Sequence, residues 1–334
     1  MSRNANAESL DEMILRNAET TISQVTAAKE ALGEVIFGQE MVVERALLTI
    51  LCGSHGLLVG VPGLAKTKLV DALGTVLGLD ASRIQFTPDL MPTDILGSEV
   101  LEEGPKGGRS FRFINGPIFA QLLMADEINR ASPRTQSALL QAMQEHHVTV
   151  AGVRYDLPRP FHVLATQNPL EQEGTYPLPE AQLDRFLMQI DVDYPDRDSE
   201  RRILLETTGA EDARPRQAMK VDELLAAQRL VRRLPVGDSV VDAILDLVRS
   251  ARPETADPAL APLIAWGPGP RASQSLTLAV RAHALLDGRF APSVDDVVEL
   301  AEPILKHRMA LTFAARAEGR TISDIIRRLT ERLG

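Results

Sequence analysis

The sequence predicts an α/β protein in which a parallel sheet flanked by helices is followed by a smaller all-helical domain. Three observations carry this. The apolar run Gly56-Leu-Leu-Val59 passes into the turn Gly60-Val-Pro-Gly63-Leu-Ala-Lys66-Thr67 and then into a helical pattern from Lys68 to Leu77. Two further apolar runs, Gln121 to Glu127 and Phe161 to Thr166, end in polar residues, as strands do where a parallel sheet carries its chemistry. Beyond Pro195 the strand signals stop and apolar residues recur at helical spacing.

Residues 1 to about 8 read as disordered. Ser9-Leu-Asp-Glu12 has the form of a capping box, and Met13, Ile14, Ile22, Val25 and Leu32 continue at roughly helical spacing until Gly33 stops them. This leading helix, residues 1–34, is expected to pack on the core or on a neighbour. The stretch from Ala46 to Ala65 carries no Asp, Glu, Lys or Arg and is long enough to suggest a membrane span. Its glycines, together with Ser54 and Pro62, instead divide it into a helix end, a buried strand and a turn. The amino terminus lacks the order of a signal peptide, so a cytoplasmic protein with no membrane span is expected.

The turn from Gly60 to Thr67 has the composition of a phosphate cradle. Its glycines let backbone N–H groups face inward, Lys66 adds a point charge, and the Thr67 hydroxyl can ligate Mg²⁺. ATP or GTP binding follows. Ala65 stands where the general G-x-x-x-x-G-K-[ST] pattern has glycine. Asp126 and Glu127 supply the second half, one carboxylate near the metal and one able to polarise a water attacking the γ-phosphate. Asn168, after the third strand, is expected between the other two strand ends, where a neutral amide can hold that water or sense the phosphate; the alternative is a plain Asn-Pro turn.

Between the second strand, Arg83 to Thr87, and the Asp126-Glu127 strand lies an insertion too long for a simple connection. Within Pro88 to Asn115, alternating runs flank the cluster Glu102-Glu-Gly-Pro-Lys-Gly-Gly-Arg109 and read as a β-hairpin. His147 to Leu157 around Ala151-Gly152 reads as a second hairpin, and His146-His147 as a helix end. Each hairpin is either a contact for another molecule or a solvated tip. Helices are expected over 221–234, 240–248, 276–286, 294–305 and 322–333, with a structured loop across the proline-rich run 251–270.

Composition agrees with a large enzyme. The 334 residues are 44% hydrophobic, enough for two cores. Thirty-six bases against 46 acids give a net charge of −10, and aromatics are 4%, so nucleic acid is a disfavoured partner. The single cysteine, Cys52, excludes an intramolecular disulfide and reads as core, and the six histidines show no metal-ligand spacing.

Taken with Gln85 to Gly97, Gly116-Pro-Ile-Phe119, Asp126 to Arg130, Thr135 to Glu145 and Leu178 to Phe186, these motifs resemble the MoxR branch of the AAA+ ATPases, within the helix-2-insert group. The resemblance implies a P-loop AAA+ domain over 35–195 with a hairpin insertion near 88–115, and a helical lid over 196–334. It accommodates Ala65. It implies ATP and Mg²⁺ as cofactors, with Gly60, Val61, Pro62, Gly63, Leu64, Ala65, Lys66, Thr67 and Lys68 forming the cradle, and Thr67 and Asp126 serving the metal. Gly38 and Gln39, in Val35-Ile-Phe-Gly-Gln39, match the segment that lines the adenine pocket, and no guanine-reading motif stands beside them.

By the same resemblance Glu127 is the catalytic base, Asn168 the sensor and Arg185 a finger reaching the γ-phosphate held by a neighbouring subunit, with Arg130 and Arg134 as lesser candidates. Arg271, in Trp266-Gly-Pro-Gly-Pro-Arg271, matches a second sensor that carries the lid onto the bound nucleotide. The implied assembly is a homo-oligomer, a hexameric ring, working with a partner bearing a von Willebrand factor A domain on a protein client. The implied work is chaperone-like remodelling in complex assembly or metal-cofactor insertion. Two alternatives stand: a related motor acting on nucleic acid or in magnesium insertion, and a nucleotide-gated scaffold with little turnover.

Overall fold

The structure is a computed structural model that describes residues 2–103, 109–171, 174–208 and 214–333, and side chains from Ala18 onward. The first half of the chain runs α1 (Ser2–Gly33), α2 (Glu40–Leu51), β1 (Gly56–Val59), α3 (Lys66–Leu77), β2 (Ala81–Gln85), α4 (Pro92–Leu96), β3 (Gly97–Glu103), β4 (Arg109–Asn115), β5 (Leu122–Asp126) and α5 (Pro133–Glu145). It continues through β6 (His147–Val150), β7 (Val153–Asp156), β8 (His162–Gln167), α6 (Glu180–Leu183), β9 (Met188–Asp191) and α7 (Arg197–Thr207). The remainder is α8 (Val221–Val231), α9 (Asp238–Ser250), β10 (Ile264–Trp266), α10 (Pro270–Leu286), α11 (Val294–Leu305), β11 (Ala310–Leu311), α12 (Phe313–Ala317) and α13 (Ile322–Thr330).

Five strands form one parallel sheet in the order β2-β5-β8-β1-β9. Side chains alternate across it, as the pleat requires. Leu58, Met124, Leu164 and Ile190 face one apolar layer, while Leu57, Leu123, Ala125, Val163 and Ala165 face the other. The first layer is closed by α1, α2, α3 and the helices after residue 220, and the second by α4, α5 and the base of the hairpins. Both faces of β1, β5 and β8 are therefore covered, which is why these strands read as continuous apolar runs, whereas the edge strand β2 is largely exposed.

The leading helix packs on this core through Val25, Ala28, Ala31 and Leu32, all buried, and Gln24 Nε2 donates to Glu223 Oε1 at 2.9 Å. It begins at Ser2, ahead of the expected start at Ser9, because residues 2–8 hold no proline or glycine to break it. Cys52, the C-cap of α2, is buried among this layer, and burial raises its thiol pKa.

Both expected hairpins are present. β3 and β4 pair antiparallel from Gly97↔Asn115 to Glu103↔Arg109, and β6 pairs β7 with Val148 opposite Tyr155. Their bases meet where Phe113 stacks on Tyr155 at 4.0 Å between ring centres. Most of the polar cluster at the first hairpin's tip, residues 104–108, lies outside the described residues.

The C-terminal region is helical as expected, with one departure. Ile264–Trp266 and Ala310–Leu311 form a short antiparallel pair within it, so this region is not purely helical. Strands of three and two residues are too short to set up a period-2 pattern, and the first sits inside the proline-rich run. A charged cluster joins this region to the core. The buried His283 of α10 bonds Asp296 of α11 through Nδ1 at 2.6 Å and faces Glu44 of α2 and Glu299 through Nε2 at 3.5 and 3.6 Å. Lys29 pairs with Glu44 at 2.5 Å and Arg289 with Asp296 at 2.5 Å, so cations already offset part of the acids' charge. The hydrogen bond to Glu44, joined by that to Asp296, outweighs burial and lifts the His283 pKa to about 9.

Candidate nucleotide site and a separate arginine cleft

The turn after β1 folds as its glycines require. A Cβ on Gly60 would sit 2.4 Å from the Val192 carbonyl oxygen, and Gly63 has φ +87°. Ala65, the N-cap of α3, is held at φ 56°, a left-handed conformation that glycine adopts freely and alanine does not. The departure from the general motif is thus a strained residue rather than a different turn. Lys66 opens α3 and its Nζ donates to the Gly60 and Val61 carbonyls at 2.5 and 2.9 Å. Burial lowers its pKa, opposed by the nearby Asp126 and Glu127.

Pro62, Gly63, Leu64, Ala65, Lys66, Thr67 and Lys68 line one cleft of about 460 Å³ with Asp126, Glu127 and Asn168. Seven of the nine expected cradle residues, the acid pair and the amide are therefore brought together, while Gly60 and Val61 do not line this cleft and serve it through their carbonyls, which accept from Lys66. Asn168 follows β8, which lies between β5 and β1, so it does stand between the other two strand ends. Its Oδ1 also accepts from the Leu170 N–H at 3.1 Å, so it shapes its turn and faces the cleft at once.

Three residues of this cleft were not anticipated. Arg83 and Gln85 alternate along β2 beside β5; Arg83 donates to Asp126 Oδ2 at 2.5 Å and Gln85 to Glu127 Oε2 at 2.7 Å. The Thr166 hydroxyl donates to Asp126 Oδ1 at 2.6 Å and accepts from the Glu127 N–H at 2.8 Å. The i, i+2 spacing of Arg83 and Gln85 was the available signal. Glu127 itself is held at φ 55° and also accepts from Arg130 at 2.9 Å, so Arg130 is engaged within its own chain.

A narrower apolar cleft adjoins the cradle, sharing Gly63, Leu64, Ala65 and Lys68 with it and lined also by Val35, Ile36, Phe37 and Gln39. Its size, about 110 Å³, and mostly apolar lining suit a base. Gln39 faces this cleft, whereas Gly38 serves the backbone: its φ is +68° and a Cβ there would meet Ser199 at 2.4 Å.

Arg185 lies elsewhere. β1 runs beside β9 in parallel register, Gly56↔Met188 to Val59↔Asp191, so the cradle after Val59 lies beyond the carboxyl ends of the strands and Arg185 lies before their amino ends. Four strand residues separate the two levels, roughly 13 Å of rise. Arg185 shares a cleft of about 230 Å³ with Ser54, His55, Asp184, Arg271 and Arg308, none of which lines the cradle. Its guanidinium donates to the Leu140 carbonyl, and burial together with the neighbouring Arg271 pushes its pKa down.

Arg271, expected beside the nucleotide of its own chain, instead faces Asp184 at 3.6 Å within this arginine cleft. Its helix is anchored at that end of the sheet, where Ser275, one turn on, is bonded by Arg308 at 3.2 Å.

The comparisons with known proteins match this architecture. Residues 55–188 match the ATPase family associated with various cellular activities, and residues 258–329 match the AAA lid domain. Sheet, cradle and lid thus define an AAA ATPase, a class that binds nucleotide. The chain is 41% identical to Chaperone MoxR1 of Mycobacterium tuberculosis over 94% of its length and 84% of that protein's. It is 33% identical to Protein MoxR of Paracoccus denitrificans, over 85% and 88% respectively. A Cytophaga hutchinsonii protein with an ATPase description, solved at 2.00 Å, superposes with TM-score 0.88 at 36% identity, covering 98% of each chain. The chain belongs to the MoxR family.

Proposed function

We propose that this chain is an ATP-hydrolysing motor that works as a ring, each nucleotide being held by the cradle of one subunit and met by the arginine cleft of the next. The observation that carries the reading is the separation described above. Arg185 and Arg271 lie at the opposite end of the sheet from Lys66, so a single chain supplies both halves of a phosphoryl-transfer site without bringing them together. Two copies do so naturally. The arginine cleft also carries three guanidiniums around one carboxylate, Asp184, an excess of fixed positive charge suited to a polyanion.

In this reading Lys66 and the backbone of Gly60 to Thr67 bind the phosphates, and Glu127, gripped by Gln85 and Arg130, orients and deprotonates the attacking water. Asn168 holds the water's other side. Thr67 and Asp126 offer hard oxygen donors, and no His or Cys lines the cradle among the described residues, which fits Mg²⁺. Bound there, the ion would neutralise phosphate charge, with Asp126 oriented by Thr166 and Arg83. Arg185 and Arg271 would offset the charge that develops on the neighbour's γ-phosphate.

The likeness to Chaperone MoxR1 supports a chaperone-like remodeller, and the resemblance read in the sequence extends the proposal to a hexamer paired with a von Willebrand factor A domain protein and acting in complex assembly or metal-cofactor insertion. The client would be met by the first hairpin, where Phe111 is 72% exposed beside the exposed Leu101 and Val100. The test is ATPase rate against protein concentration in ATP and Mg²⁺, with mass followed by light scattering. A specific rate that climbs as oligomers form is expected; full turnover by a persistent monomer would overturn the shared site.

A further inference from the structure

We propose that Arg308 is a positioning residue that locks Arg185 and Arg271 to the lid, so that lid movement in one subunit changes how both guanidiniums are presented to its neighbour. The inference rests on the shared-site reading above and adds to it a residue outside both clefts' motifs.

Among the described residues Arg308 is the largest fully buried side chain, 2% exposed. Burying a guanidinium is strongly unfavourable unless its N–H groups find oxygen acceptors. Here Nε donates to Asp184 Oδ1 at 2.7 Å, and Nη1 to the Leu187 and Ile304 carbonyls at 3.0 and 2.6 Å. Nη2 donates to the Phe186 and Asp184 carbonyls at 2.6 and 3.4 Å and faces Ser275 Oγ at 3.2 Å.

The addresses of these acceptors carry the argument. Asp184, Phe186 and Leu187 bracket Arg185 in the core, and Ser275 stands one helical turn after Arg271 on the same face of α10. Asp184 is shared, since its second oxygen faces Arg271 at 3.6 Å. A residue needed only to fill space here would be apolar. A planar fork that reaches both arginine-bearing segments at once fixes their relative geometry, and a lysine cannot reproduce it. Flanking residues lead to the same place: His307 Nε2 bonds the Phe186 carbonyl at 3.2 Å and Lys306 pairs with Asp191 at 2.5 Å. The turn 306–308 is therefore a clamp on the strip that presents Arg185.

The experiment compares Arg308→Lys and Asp184→Asn with the unaltered chain in steady-state ATPase assays, thermal melts and subunit mixing. Both variants are expected to bind ATP with KM changed by less than about threefold while kcat falls about 10- to 100-fold, the scale set by a misplacement near 1 Å. Mixing either with Glu127→Gln subunits should restore activity, because the mixed junction pairs an intact Glu127 with a correctly presented Arg185. Arg185→Ala mixed with Glu127→Gln is the control. If that control stays inactive at all ratios, the shared site itself falls. If the control recovers while the Arg308→Lys and Asp184→Asn mixtures do not, or their kcat is unchanged, the positioning role alone is overturned. Loss of folding or of ATP binding in both variants also overturns it, since the guanidinium would then serve the fold and not the presentation of Arg185.

Discussion

The two ends of the central sheet are built by different means. At the carboxyl ends of the strands, seven consecutive residues from Pro62 to Lys68 form most of the cradle, and the acids and amide arrive directly on the next strands. At the amino ends, the arginine cleft is assembled from residues 184–187, 271–275 and 308, which only tertiary packing brings together. A site of the first kind is set by local backbone geometry and withstands lid movement. A site of the second kind changes whenever the lid does, and so is suited to signalling between subunits.

Glu127→Gln is the sharpest break at the first end. It should leave ATP binding intact and lower kcat by about 1000-fold, the usual cost of removing a general base with its water left in place; equilibrium binding beside single-turnover kinetics checks both halves. At the second end, Arg185→Ala should bind ATP normally and lose about 100-fold in kcat, with KM nearly unchanged. A rise in KM alone would mean that Arg185 touches the nucleotide of its own chain, and the contrast between the two ends would collapse.

A smaller effect tests the joint between core and lid. The raised His283 pKa means that the stability it contributes is fully present below the ordinary histidine value of about 6.5 and is lost as pH rises through about 9. Glu44, Asp296, Asp287 and Glu299 face it, with Lys29 and Arg289 offsetting part of their charge. Melts between pH 7 and 10 should therefore fall by about 2 kcal/mol, and His283→Gln should flatten that slope. Last, Ala65→Gly should relieve left-handed strain and raise or hold stability within about 1 kcal/mol, since the gain offsets added freedom in the unfolded chain. A loss of 2 kcal/mol or more, read from urea melts, would show that the Ala65 methyl is needed in the turn.

The same contrast governs what was legible in the sequence. Lys66 and Thr67 could be read because they open the helix after a glycine turn of fixed spacing, and Asp126, Glu127 and Asn168 because they follow apolar strands. Arg83 and Thr166 could not, since their role depends on the neighbour that the sheet gives them, although alternation along β2 pointed Arg83 and Gln85 the same way. Arg271 was found by its motif but placed at the wrong end, because a motif names a residue and not the anchoring of its helix. Arg308 gave no signal: within Leu305-Lys-His-Arg308-Met it reads as a solvated charge, and only the carbonyls of 184–187 reveal why it is buried.

Cys52 closes the comparison from an unexpected side. It is the chain's sole thiol, buried at the end of α2 with its reactivity suppressed, and it lines neither the cradle nor the arginine cleft. A thiol-reactive dye therefore has one target and reaches it only when the layer beneath the sheet opens. The molecule carries its own unfolding gauge, and nucleotide or lid variants can be timed against it without adding a label that disturbs either end.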